Sequence, residues 1–197
     1  RDGAPALRIL TAPAREEAGV RVVPVELRGR AEQRAVLHAR GRILLADRLP
    51  EPGKSSVHPR LKPFPGPDDR IYHEPLFHGP DLRGIRHVEG CSEEGIAAIV
   101  DRAPAPSRWI RKPLRSRWIA DPLVLDCAFQ LMIVWSFDQR GAGSLPVYAG
   151  SYRQFRASFP EDGVRIAAAV SDSGEHRAVA DIEFRDLSGA LVARLDG

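Results

Sequence analysis

One run of residues limits the fold more than any other. Leu123 to Phe137 is apolar except for Asp126, Gln130 and Ser136. Asp121-Pro122 ahead of it offers a capping carboxylate and a proline at the first helical position, a strong helix start. Asp138-Gln139-Arg140-Gly141 ends it, with a glycine suited to the left-handed C-terminal position. The segment predicts a helix over 121–138 of about four turns. A helix at a protein surface shows an apolar stripe and a polar face. This one is apolar nearly all round and is expected to be covered on every side.

The covering material is expected to be strands. Pro146 to Phe155, Val164 to Ser171, Arg177 to Arg185 and Leu191 to Leu195 alternate or run apolar. Glu161-Asp162-Gly163, Asp172-Ser173-Gly174 and Leu187-Ser188-Gly189 lie between them as turns of antiparallel hairpins. Two shorter strands are predicted upstream, Ile85 to Val88 and Gly95 to Val100. A curved antiparallel sheet around one buried helix is an α+β arrangement, the layout called a hot-dog fold.

The first half also reads as strands, over Ala6 to Leu10, Val20 to Leu27 and Ala35 to Ala46. Pro24 suits an edge strand or a bulge better than a central strand. No apolar helix is visible for these strands to wrap. Asp47 to Asp69 carries Pro50, Pro52, Gly53, Pro59, Pro63, Pro65, Gly66 and Pro67 and is expected to be a long irregular connection, functional or a linker. The main boundary is placed near residue 90, giving subdomains 1–90 and 91–197. Residues 101 to 120 are expected to form a second proline-containing loop.

Composition narrows the function classes. At 197 residues with 43% hydrophobic and 28% charged side chains the chain can bury a substantial core and is not of disordered type. No apolar run is long enough for a membrane span, and Arg1 to Pro5 lack the pattern of a signal peptide. Cys91 and Cys127 supply neither a disulfide framework nor a zinc site. A soluble, cytoplasmic protein is the expectation. A net charge of +3 is too small for a general nucleic-acid binder, and no nucleic-acid or membrane partner is expected. All basic residues but Lys54, Lys62 and Lys112 are arginine, and Arg102, Arg108, Arg111, Lys112, Arg115 and Arg117 form a cluster with no acid between Asp101 and Asp121. Such a field suits an acidic or phosphorylated partner, and equally a solvated loop.

Two features stand out as candidate chemistry. Asp126 and Gln130 are four apart and project from one helix face. A carboxylate among apolar residues is either paired or kept protonated by burial. A protonated acid there can push out a hydroxyl leaving group, with Gln130 holding it or the departing water. The other reading is that the pair anchors a neighbouring loop. The second feature is Tyr72 to Leu82. Gly79-Pro80 makes a turn in it, and His78 and the aromatics beside it either line a pocket mouth or decorate a surface turn.

These residues also carry a resemblance. His78-Gly79-Pro80-Asp81-Leu82 resembles the (Tyr/His)-Gly-Pro-x-Phe motif of polyketide synthase dehydratase domains. Leu125 to Gln130 resembles their Asp-x-x-x-Gln motif, and Ser144-Leu145-Pro146-Val147 resembles their Leu-Pro approach to a strand. The likeness covers most of the chain, with the motifs in the expected order. The Phe77-His78-Gly-Pro form leans toward iterative, enediyne-type or polyunsaturated-fatty-acid-type synthases. Leu82 departs from the pattern, standing where an aromatic is usual.

The resemblance implies a double hot-dog dehydratase that removes water from a 3-hydroxyacyl chain carried on the phosphopantetheine of an acyl carrier protein, giving an enoyl thioester. It implies Asp126 as the acid that protonates the β-hydroxyl, Gln130 as its helper and His78 as a residue orienting the substrate. Gly79, Pro80, Leu82 and Pro146 become substrate-contacting positions. No metal or redox cofactor is required, because the thioester already acidifies the α-carbon. Arg111, Lys112 and Arg115 become candidate carrier-protein contacts, since arginine grips phosphate and carboxylate through paired hydrogen bonds. The rest of a multidomain synthase and a homodimer are the other implied partners.

A larger departure concerns the histidine that takes the α-proton. The family's His-x-x-x-Gly-x-x-x-x-Pro motif is absent: His38 is followed too closely by Gly41, and His58 by Pro59 with no suitably placed glycine. The expectation is a chain beginning inside the domain, about one and a half hot dogs long. Two other functions compete with dehydration. One is a non-catalytic hot-dog scaffold or binding chamber of such a synthase; the other is a hot-dog thioesterase.

Overall fold

The computed structural model describes residues 6–31, 34–65 and 67–197, so Arg1 to Pro5 lie outside the described residues. The chain forms two compact units, dividing between Leu49 and Pro50. The division falls well before the expected position near residue 90, which lies inside a strand of the second unit.

The first unit is a four-stranded antiparallel sheet of β1 (Arg8–Thr11), β2 (Arg15–Glu17), β3 (Val20–Ala31) and β4 (Arg34–Leu45). β3 is central, with β4 along one side and β1 and β2 in turn along the other. Of the two expectations at Pro24, an edge strand or a bulge, the edge strand is therefore corrected, and the register shift of β3 falls between Leu27 and Arg28. Pro24 fits a central strand because it lies where β1 has ended and β2 has not begun, and its carbonyl accepts the Ala12 N–H at 3.1 Å. Its missing N–H falls on that same side, at the break in pairing. Among the described residues this unit contains no helix.

The second unit wraps a six-stranded antiparallel sheet about a single long helix, a hot-dog fold. The strands are β5 (Ile85–Ser92), β6 (Gly95–Val100), β7 (Ser151–Gln154), β8 (Val164–Ser173), β9 (Ala178–Arg185) and β10 (Leu191–Asp196), in the spatial order β5-β6-β8-β9-β10-β7. A short helix α1 (Pro106–Trp109) interrupts the basic loop. The long helix α2 (Pro122–Arg140) starts and stops where its sequence signals lie. The Asp121 carboxylate accepts the N–H groups of Leu123 and Val124, each at 3.0 Å, and also that of Ala103, while Gly141 takes the left-handed conformation with φ 68°.

Leu123, Val124, Cys127, Ala128, Leu131, Val134 and Trp135 of α2 pack into one core with Ile96, Ala98, Ile166, Ala168, Ile182 and Phe184 of the sheet. Strands are not its only cover. Ile71 and Leu76, from the segment ahead of β5, join the same core. Leu125, Phe129 and Met132 are only half-buried, so one stripe of the helix is incompletely covered.

The proline-rich connection is irregular as expected, but it is fastened to the sheet. Val57 is buried with Ala97 and Ala167 in a small second core. Glu183, fully buried on β9, accepts the Ser55 hydroxyl at 2.7 Å and the Ser56 N–H at 2.9 Å. Further along, Lys62 pairs with Cys91 at the edge of β5, and the Asp68 carboxylate accepts the Val88 N–H at 2.8 Å. The last two contacts pair backbone groups of Cys91 and Val88 on a strand edge that would otherwise leave them open.

Candidate active site

The site is built where residues 72–84 cross α2. Two short 3-10 turns, Asp68–Tyr72 and Pro80–Leu82, frame the segment. Pro80 stands at the first position of the second turn, where its fixed φ and missing N–H do no harm. Gly79 is extended, with φ −67°, and a methyl group added there meets nothing, so this turn makes no special demand for glycine. Gly84 does make one. A Cβ there would lie 2.7 Å from Cys127 Sγ and 2.8 Å from Leu123 Cγ, and only a bare backbone lets the segment lie this close on the helix.

That approach brings three sequence-predicted residues together. Gln130 is fully buried and donates both to Asp126 Oδ2 at 2.7 Å and to the Leu82 carbonyl at 2.8 Å. His78 Nε2 lies 3.6 Å from the same Asp126 oxygen. The His78 side chain is 10% exposed, whereas that of Asp126 is 34% exposed. The carboxyl therefore lies at the margin of the site, open to an incoming molecule, rather than enclosed by this chain. His78 Nδ1 is buried with no hydrogen-bond partner among the described residues. The ring stacks on exposed Phe77, with centroids 4.7 Å apart.

Tyr72 completes the cluster, and sequence reasoning gave it no role beyond that of an aromatic near the turn. Its hydroxyl donates to Gln130 Oε1 at 3.1 Å and accepts the Ile85 N–H at 2.9 Å. Burial pushes the Tyr72 phenol and the neighbouring Cys127 thiol up from their ordinary values, so both remain protonated at neutral pH. The Leu82 carbonyl is the other unforeseen participant, since a main-chain acceptor has no residue-type signature.

The remaining predicted positions are placed differently. The Leu82 side chain is partly exposed; the residue joins the cluster through its carbonyl. Pro146 is exposed on the irregular segment between α2 and β7, where a longer strand was expected, and the structure does not bring it into the hydrogen-bonded group around Asp126. Arg111, Lys112 and Arg115 are exposed on the basic loop. Among the described residues, no carboxylate lies within ion-pair distance of any of the three. Trp118 roots this loop by donating its indole N–H to the Pro104 carbonyl at 2.7 Å, with Trp109 against it. His38 lies exposed on β4 of the first unit, and His58 contacts Ser55 on the fastened connection.

Known proteins share this arrangement of elements. Residues 51–197 match the family described as the polyketide synthase dehydratase N-terminal domain. Over 147 residues, 74% of this chain, the sequence is 29% identical to a polyunsaturated fatty acid synthase polypeptide from Thraustochytrium sp.. Among solved structures, the dehydratase domain of RzxB from Pseudomonas fluorescens superposes with a TM-score of 0.67 at 16% identity, covering 96% of this chain. The dehydratase domain from the CurH module of curacin polyketide synthase gives 0.66 at 18% identity, covering 97%. The chain spans 66% and 67% of those two solved domains, and 5% of the fatty acid synthase polypeptide. The structural likeness establishes the fold, and the family match, extending over far more than half of the sequence, establishes the lineage: the chain belongs to the polyketide synthase dehydratase family.

Proposed function

We propose that this chain is the Asp126-bearing region of a dehydratase that converts a 3-hydroxyacyl thioester on an acyl carrier protein into an enoyl thioester. The observation that carries the reading is the meeting of His78 with Asp126 and Gln130, which lie far from it in sequence, around one carboxyl oxygen at 3.6 Å and 2.7 Å. Dehydration requires a base to remove the α-proton and an acid to protonate the β-hydroxyl as its C–O bond breaks; the electron pair of the C–H bond becomes the new double bond and water leaves. Gln130 occupies Oδ2 of Asp126, so Oδ1 carries the proton to the leaving oxygen. The His78 ring, whose Nε2 faces Asp126 Oδ2 at 3.6 Å, orients the substrate beside the carboxyl. The α-proton goes to the histidine of the family's first hot dog, whose motif this sequence lacks.

The acyl chain lies along Leu125, Phe129 and Met132, the half-covered stripe beside Asp126. Seating it there removes water from the exposed part of the carboxyl and strengthens every polar contact around it. Product analysis of the intact synthase acting on a carrier-bound 3-hydroxyacyl thioester tests the reading. Enoyl thioester is the expected product. Free acid would indicate a thioesterase, and unchanged substrate a non-catalytic chamber.

The basic loop is the proposed docking face for the carrier protein. Arg111→Glu combined with Arg115→Glu is expected to slow turnover of a carrier-bound substrate about tenfold at low salt, through encounter rather than chemistry. A small free thioester should be turned over at the unaltered rate. An equal loss on both substrates would remove this loop from the docking scheme.

A further inference from the structure

Tyr72 sits between the helix that carries Asp126 and the turn that carries His78. On the helix side its hydroxyl meets Gln130 Oε1, and the orientation of that amide follows from chemistry. The Leu82 carbonyl can only accept, so the Gln130 atom 2.8 Å from it is the nitrogen. The amide oxygen therefore faces Tyr72, and the second N–H points at Asp126 Oδ2. The phenol accepts the Ile85 N–H and so directs its single proton to Gln130. Because Gln130 is fully buried, no bulk water replaces the phenol if it is removed.

On the other side, the Arg83 guanidinium lies over the Tyr72 ring, 5.4 Å from its centre. Arg83 in turn donates from Nε to the His78 carbonyl at 3.2 Å. One side chain thus touches both the group that holds Asp126 and the group that holds the backbone of His78.

We propose that Tyr72 is the positioning residue of this site, its hydroxyl fixing the Gln130–Asp126 contact and its ring fixing, through Arg83, the place of His78. The positional claim stands on this geometry; only its consequence for turnover rests on the dehydratase reading. The groups facing or near the Asp126 carboxyl are the His78 imidazole and the Gln130 amide, with the Tyr72 phenol, the Cys127 thiol and Arg83 beyond them.

Nuclear magnetic resonance of the chain itself tests the claim without a substrate. Tyr72→Phe keeps the ring beneath Arg83 and removes the hydroxyl. It is expected to move the Gln130 side-chain amide resonances and the carboxyl carbon resonance of Asp126, because the amide loses the donor that fixes it. Tyr72→Leu removes the ring as well and is expected to shift the His78 ring resonances in addition. A Tyr72→Phe protein that melts like the wild type, with the Gln130 and Asp126 side-chain resonances unmoved, overturns the proposal. If that variant fails to fold, the wild-type chain decides. A slowly exchanging Tyr72 hydroxyl proton close to the Gln130 side chain supports it, and a freely exchanging one without that contact overturns it. In the intact synthase Tyr72→Phe is expected to lower kcat about tenfold with KM unchanged. Absence of enoyl product from the wild-type synthase would sink the dehydratase reading and leave the resonance measurements to decide the role of Tyr72.

Discussion

Asp126→Asn in the complete dehydratase is expected to lower enoyl formation by a factor of about a hundred to ten thousand, the span that a positioned general acid contributes. The substitution keeps the volume and the polar contacts of the side chain. An amide oxygen still accepts the Gln130 N–H, so the helix and the 72–84 segment should remain in place and melting should be nearly unaltered. What is lost is the transferable proton. Asparagine cannot supply it to the β-hydroxyl, and a poor leaving group then departs unassisted. Stopped-flow or product-quench measurement of enoyl thioester checks the expectation, with the melting curve as its control. Full turnover by a folded Asp126→Asn protein would reject Asp126 as the acid. Loss of turnover together with loss of folding would show the pair to be an anchor for the loop, the structural alternative raised by its sequence spacing.

The second large effect concerns stability and lies away from this site. Glu183→Ala is expected to destabilise the second unit by about 3–5 kcal/mol, the range for removing one partner from a buried ionic group. Glu183 is fully buried, and its carboxylate gathers Arg185 at 2.6 Å, Arg194 at 3.5 Å, and the Ser55 and Ser56 donors of the connection. Without it, Arg185 keeps, among the described residues, Ser55 and the Val57 carbonyl, and the connection loses its principal anchor on the sheet. Burial alone would raise the Glu183 pKa, but the Ser56 N–H, the Ser55 hydroxyl and Arg185 outweigh it and hold the carboxyl below its ordinary range. A depressed folded-state value contributes stability above the ordinary glutamate pKa, and that contribution is lost as pH falls through the lower folded value. Wild-type stability should therefore drop on acidification below about pH 4, and the Glu183→Ala chain should lack this part of the drop. Urea midpoints across pH measure both effects.

The long helix and the last three strands of the second unit were legible because their signals are local. Asp121, Pro122 and Gly141 mark the ends of α2, and the Gly-containing turns around residues 163, 174 and 189 separate β8, β9 and β10. Errors arose where pairing is set by distant partners. Arg15–Glu17 is a charged, exposed strand with no alternation, held only by its register with β3. The expected boundary near residue 90 failed because β5 extends to Ser92, paired with β6 and backed by Lys62, and neither contact is visible in the local pattern. Pro146 to Gly150 was expected to open a strand, yet ladder pairing with β10 covers only Ser151 to Gln154.

The site divides in the same way. Asp126 and Gln130 announce themselves as polar residues one helical turn apart on an otherwise apolar helix. His78 stood out only as a histidine beside a turn, and its role came from the family likeness. Tyr72 and the Leu82 carbonyl act across long sequence separations. The only trace that could have found them is glycine at position 84, which permits the close crossing that puts the whole segment on α2.

The most direct measurement is a crystal structure of the intact dehydratase region with a stable amide mimic of a 3-hydroxyacyl phosphopantetheine thioester. The account predicts the β-hydroxyl oxygen within hydrogen-bond reach of Asp126 Oδ1, about 2.6–3.2 Å, with the acyl chain along Leu125, Phe129 and Met132. A mimic bound with its β-hydroxyl beyond reach of Asp126, and pointing at no group of this cluster, would contradict it.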